Sequence, residues 1–93
     1  MAYYTDRVTR VIDGDTFERE SDISTNIRLE DVYAPELDQP GGQRAKAYLE
    51  SLIGNRWVNI EHQYYDRYGR SVSQVRRHSD GLNVNQAMIQ YLK

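Results

Sequence analysis

The sequence predicts a mainly β fold with two helices (α+β), built as a small five-stranded barrel in a single domain over residues 1–93. Two observations carry the prediction. Short stretches rich in β-branched residues show period-two spacing and are bounded by Gly, Asp and Asn turns, as strands require. Two other stretches repeat their apolar residues at helical spacing, one mid-chain and one at the end. A chain of 93 residues has room for one modest core and no second sizeable domain.

Residues 5–12 read as the first strand, and Asp13-Gly14 as a turn. Thr16 to Glu20 is the return strand, and Ser21 to Thr25 is polar enough for a loop. Asn26 to Glu30 alternates again, with Ile27 and Leu29 on one face and Arg28 on the other. Val32 to Gly42 holds both prolines and reads as a loop. Residues 43–53 change period: Ala45, Tyr48, Leu49, Leu52 and Ile53 form one apolar stripe, which predicts a helix packed on the barrel. Gly54 is expected to cap it in the left-handed region.

Trp57 to His62 returns to period two with Val58 and Ile60 inward, and Tyr64 to Arg70 reads as a polar, aromatic turn. Trp57, Tyr64 and Tyr65 are expected in the core and barrel wall rather than as base-stacking platforms, although Tyr64-Tyr65 near Arg67 permits a stacking role. Ser71 to Arg77 is a weaker strand, whose apolar anchors Val72 and Val75 stand three apart and predict a bulge. Ser79-Asp80-Gly81 is a turn, and Asn83 or Asn85 caps a last helix carrying Ala87, Met88, Tyr91 and Leu92. Three strands, a helix, two strands and a helix is the order of an oligonucleotide-binding (OB-fold) barrel.

Composition excludes several functions. There is no cysteine, hence no disulfide, thiolate zinc site or thiol nucleophile. The two histidines, His62 and His78, stand apart and build no histidine metal cluster. No apolar run approaches the roughly 18–20 residues that span a bilayer, so no membrane partner is expected. MAYYTDRV lacks a basic-then-apolar signal segment, and the compartment stays open.

Charge is unevenly placed. Val11 to Gly41 carries nine acids against two bases, a net of −7. Arg56 to His78 carries five arginines against two acids, a net of +3. The uneven charge is either a solvated surface or a cation site facing a phosphate-binding surface. Arginine supplies ten of the twelve bases, and its fork suits bidentate phosphate contacts.

Several motifs now fall in order: Val11-Ile12-Asp13-Gly14-Asp15-Thr16, Ile27-Arg28-Leu29 with Ala34-Pro35-Glu36, Gly42 and Ala45 leading the helix, Asp66-Arg67-Tyr68-Gly69-Arg70, and Asp80-Gly81 with Val84-Asn85. Through them the chain resembles the staphylococcal nuclease (thermonuclease-like) family over nearly its whole length. The resemblance implies a shortened member or a piece of a longer one, since the family carries another helix beyond the position matching Lys93. It also implies Ca2+-dependent hydrolysis of DNA or RNA by water attack on phosphorus, leaving a 3′-phosphate.

Carried onto this sequence, the resemblance makes Asp15 a calcium carboxylate and Asp13 an outer or turn-stabilising acid. Ala34 would offer its backbone carbonyl to the metal. Arg28 and Arg70 would clamp the phosphate, and Glu36 would orient or deprotonate the attacking water. Arg67 and Tyr68 would contact a terminal phosphate. The chain departs from the pattern at Tyr33, where the family carries its second calcium carboxylate. Tyr33 is expected to line the site, packing or stacking, with plain loop burial as the alternative.

Chemistry agrees with these residue types. A hard cation wants several oxygen ligands, and guanidinium forks stabilise the equatorial oxygens of a phosphoryl transition state. Three functions remain in competition. One is a nuclease on DNA or RNA, with single strands favoured. Another is a catalytically weak or inactive nucleic-acid-binding barrel, and the third a protein-interaction domain. A homo-oligomer is compatible with each.

Overall fold

The structure, a computed structural model, describes residues 3–93. Strands β1 (Tyr4–Asp13), β2 (Thr16–Arg19), β3 (Asp22–Leu29), β4 (Trp57–Tyr65) and β5 (Ser71–Arg77) close a barrel in the order β1-β2-β3-β5-β4. Helix α1 (Gly42–Ile53) lies between β3 and β4, and α2 (Val84–Leu92) follows β5. The barrel and the two helices are those expected from the sequence.

Four strand contacts are antiparallel. The closing contact, β3 against β5, is parallel, with Ile27 opposite Ser71 and Arg28 opposite Val72. Parallel neighbours need a long crossover. Here the loop after β3, α1 and β4 supply it. Closure removes the free sheet edges that a small β-domain otherwise exposes.

Period two decides what enters the core. Val8, Phe17, Ile27, Leu29, Val58 and Ile60 are fully buried, with polar neighbours between them. Leu49 and Ile53 of α1 close one side, and Val84 and Met88 of α2 another. Burying each such side chain contributes about 1.5–3 kcal/mol. Tyr48 and Tyr91 stack with ring centroids 4.3 Å apart and tie α1 to α2.

Asn83 caps α2 by accepting the Gln86 N–H at 3.0 Å. Asn85 is a tie rather than a cap. Its side-chain oxygen accepts the Val75 N–H at 2.8 Å, and its amide donates to the Glu30 and Ser73 carbonyls, each at 3.0 Å. It therefore fixes α2 against β5 and the end of β3.

Some local expectations are corrected. β3 begins at Asp22, inside the stretch expected as a loop, and β4 runs on to Tyr65. The irregularity lies in β4 between His62 and Tyr64, opposite Ser73 and Val72. The extra residue, Gln63, thus sits on the partner strand, and Val72 and Val75 are both buried. Gly54 has an ordinary φ of −55°, and Asn55 takes the left-handed conformation at φ 56°. Asn tolerates that region because its short side chain bonds locally. Trp57, Tyr64 and Tyr65 are exposed rather than core. They occupy the ends of β4, paired with Arg7, Val72 and Ser71, with their side chains exposed to solvent.

Candidate nucleic-acid interface

The turn joining β1 to β2 builds one candidate cluster. Asp13 accepts the Asp15 N–H at 3.0 Å, the hydrogen bond of a tight Asx turn. A Cβ on Gly14 would lie 2.7 Å from the side chains of both Ala34 and Ala45. Glycine there lets the turn press against the loop after β3 and against α1 together. The Leu29 N–H donates to the Asp15 carbonyl at 2.8 Å and fixes the turn beside β3.

Asp15 is buried, at 8 % exposure, and its carboxylate is well served. One oxygen accepts the Thr16 hydroxyl at 2.9 Å. The other accepts the Ala34 N–H at 3.3 Å and faces Arg28 Nη2 at 3.7 Å. Burial first, then the neighbouring Asp13 carboxyl, pushes the Asp15 pKa up to about 6, against the pull of Thr16 and Arg28. Two acids crowded in a partly dry site resist ionising together.

Arg28 also donates to the Val32 carbonyl at 3.1 Å, and its guanidinium carbon lies 5.4 Å from the centre of the Tyr33 ring. Tyr33 itself is 75 % exposed. Glu36 comes three residues later. Its N–H donates to the Gln39 side chain at 2.8 Å, and its carboxylate makes no hydrogen bond among the described residues. Gly42 at the start of α1 lies so close to the Glu36 carbonyl that any side chain there would collide with it. The Glu36 backbone is therefore seated on α1 while its side chain stands exposed.

The β4–β5 turn builds a second cluster, and Asp66 organises it. One Asp66 oxygen accepts the N–H groups of Tyr68 and Arg70, each at 2.9 Å. The other accepts Arg70 Nε at 2.8 Å. These contacts hold the Asp66 carboxyl below its ordinary pKa against its partial desolvation. Gly69, at φ 78°, supplies the left-handed residue the turn requires. Arg67 and Arg70 both lie over the Tyr68 ring, at 5.2 and 5.4 Å from its centre. Since Arg28 pairs with Val72, Arg70 stands two residues before that partner on the adjacent strand.

Asp15, Arg28, Tyr33 and Ala34 thus meet in one cluster, with Asp13 holding its turn. Arg67, Tyr68 and Arg70 meet in a second. The sequence motifs contained Asp66, but its role as turn organiser was missed. The signal was an aspartate two residues before Tyr68 and four before Arg70, the spacing of an Asx turn with an added ion pair. Asp31, just after β3, is exposed and takes the left-handed conformation at φ 63°.

The donor set does not fit a calcium cage. Calcium takes six to eight oxygens, several of them carboxylate. Among the described residues no three His, Cys, Asp or Glu side chains gather to hold a metal. Both Asp15 oxygens already accept hydrogen bonds, and Arg28 supplies the positive charge beside them. Ala34 meets Asp15 through its N–H. What the arrangement offers instead is guanidinium edges beside exposed aromatic faces.

A closed five-stranded barrel presenting such clusters on its turns belongs to the OB-fold architecture of the nuclease type. Residues 26–91 match the model of the family described as staphylococcal nuclease homologue, and the chain belongs to that family. It is 42% identical over 84 residues to an uncharacterized endonuclease of Escherichia coli O157:H7, covering 89% of this chain and 54% of that protein. It is 37% identical over 90 residues to Protein ParB of Escherichia coli, covering 88% of this chain and 51% of that one. It is 36% identical over 75 residues to a micrococcal nuclease of Shigella flexneri, covering 80% and 43%. The chain spans about half the length of the curated relatives it matches. No described helix is long and apolar enough to cross a membrane.

Proposed function

We propose that this chain is a nucleic-acid-binding barrel of the nuclease family with weak or absent hydrolytic activity. Arg28 and Arg70 are the phosphate-contacting residues in this reading, and Arg67 and Tyr68 extend the contact. One observation carries it: each candidate clamp arginine is already engaged by an aspartate, Arg28 with Asp15 at 3.7 Å and Arg70 with Asp66 at 2.8 Å. Pairing of this kind orients a guanidinium and lowers its net field. Arg28 Nη1 and both terminal nitrogens of Arg70 still hydrogen-bond to no described residue, which leaves donors for a phosphate oxygen. Tyr33 supports the weak-hydrolysis part, because a neutral phenol stands where the family carries a metal carboxylate.

A second reading, Ca2+-dependent phosphodiester hydrolysis with Glu36 acting on water, is favoured by two observations. Its relatives include an uncharacterized endonuclease and a micrococcal nuclease. The Asp13–Asp15 crowding is also the kind of electrostatic tension that a cation relieves. No step through an ion follows from the donors present. In solution the readings separate on labelled single-stranded DNA with calcium or chelator. The binding reading expects a salt-sensitive complex and little or no product. Rapid cleavage abolished by chelator and by Glu36→Gln contradicts it, and no complex at low salt contradicts both.

A further inference from the structure

We infer that Tyr64, turned outward by the bulge in β4, stacks an unpaired base beside the Arg28 clamp and so selects single strands, a deepening that rests on the phosphate-binding reading above.

Period two decides where each side chain of β4 goes, and one extra residue reverses it. Val58 and Ile60 are fully buried in the barrel. His62 follows them inward: it pairs with the fully buried Ser73, and its Nδ1 shares a hydrogen bond of 2.6 Å with the buried Ser71 hydroxyl. Unbroken alternation would send Tyr64 inward next. The extra residue, Gln63, shifts the register, so that Tyr64 pairs with Val72 and Tyr65 with Ser71. Bulges next to functional sites re-aim side chains in this way. The Gln63 amide donates to the Glu61 carbonyl at 3.1 Å and to the Glu61 carboxylate at 3.2 Å, which ties the bulge down.

On its other side Val72 pairs with Arg28. Directly opposed residues share a face of the sheet, so Arg28, Val72 and Tyr64 form one row across β3, β5 and β4 on the outside of the barrel. Two strand spacings put the Tyr64 backbone about 10 Å from that of Arg28. A phosphate and the base of the same or the next nucleotide span such a gap. Arg70 stands beside the row, two residues before Val72.

Among the exposed tyrosines around the two clusters, Tyr64 has the uncommitted ring. Arg28 lies over Tyr33, and Arg67 and Arg70 lie over Tyr68. The Tyr65 ring lies 4.5 Å from that of His62. Tyr64 is 53 % exposed and has no aromatic or guanidinium partner among the described residues. An aromatic face on a paired strand beside guanidinium donors suits a stacked base of any identity, because every base has a π-face. A duplex keeps its bases stacked inside and offers none to this ring.

The test is a set of binding titrations at low salt with a fluorescent single-stranded oligonucleotide, its duplex, and a single strand made wholly of abasic sites. Tyr64→Ala should weaken binding to the normal single strand about tenfold, as loss of one stacked base does. It should leave binding to the duplex and to the abasic strand unchanged. Tyr64→Phe keeps the ring and should bind like the parent, and so should Tyr65→Ala. Equal affinity of parent and Tyr64→Ala for the normal strand, while Arg28→Ala weakens it, overturns the stacking role and leaves the phosphate reading standing. An equal loss with Tyr65→Ala, or a loss on the abasic strand with Tyr64→Ala, also overturns it. No binding of any strand by the parent overturns both.

Discussion

Arg28 Nη2 stands 3.7 Å from Asp15 Oδ2, so the candidate phosphate clamp faces the one well-buried carboxylate of the site. In a metal-loaded site the carboxylate would serve the ion and leave the guanidinium for the substrate. Here the two groups face one another.

The first consequence concerns pH. Asp15 has its carboxyl pushed up to about 6 from an ordinary 3.8, chiefly by burial. The folded chain therefore holds this proton more tightly than the unfolded one does. The resulting stability is present below about pH 4 and is lost as pH rises to about 6. Asp15→Asn should raise stability at pH 7.5 by about 1–2 kcal/mol, solvent screening moderating the full shift. Urea melts at pH 4 and 7.5 check this: the gain should appear only at the higher pH.

Tyr33→Asp would place there the acid that the resemblance implies for a metal-binding member. Calcium affinity measured by calorimetry should then rise at least tenfold over the parent, about 1.4 kcal/mol. Unchanged affinity would mean that positions 15 and 33 do not converge on one ion.

Asn85→Ala should cost about 2–4 kcal/mol in a urea melt, because it strands one N–H and two carbonyls that it now satisfies. A loss below about 0.5 kcal/mol would mean that water replaces the amide.

Gly42→Ala should destabilise the fold by about 1–3 kcal/mol and shift the Glu36 loop, since the new methyl would meet the Glu36 carbonyl. Amide chemical shifts of residues 35–39 report the displacement. A silent spectrum with unchanged stability would contradict the packing described.

The sequence made the barrel legible where periodicity and turn chemistry agree. Ile27, Arg28 and Leu29 alternate so plainly that the outward arginine follows. Asp13-Gly14-Asp15 reads as a turn for the same local reason. What was not legible depends on tertiary neighbours. Nothing local distinguishes a capping Asn83 from a tying Asn85, because the difference lies in what β3 and β5 place opposite. Trp57, Tyr64 and Tyr65 look like core by hydrophobicity, yet they sit exposed at the ends of β4. The arginine motifs named the candidate clamp, and the spacing of Asp66 from Arg70 carried a local signal for their pair, while the pairing of Arg28 with Asp15 came from the fold.

The measurement that bears most directly on the account is the salt dependence of single-stranded oligonucleotide binding by the parent and by the Arg28→Ala/Arg70→Ala double variant. Each phosphate contact contributes a slope of about −0.7 in log affinity against log salt. The account predicts that the parent binds at low salt with such a slope, and that the double variant binds more weakly with the slope reduced by about one to two. An unchanged slope and affinity in the double variant would contradict it.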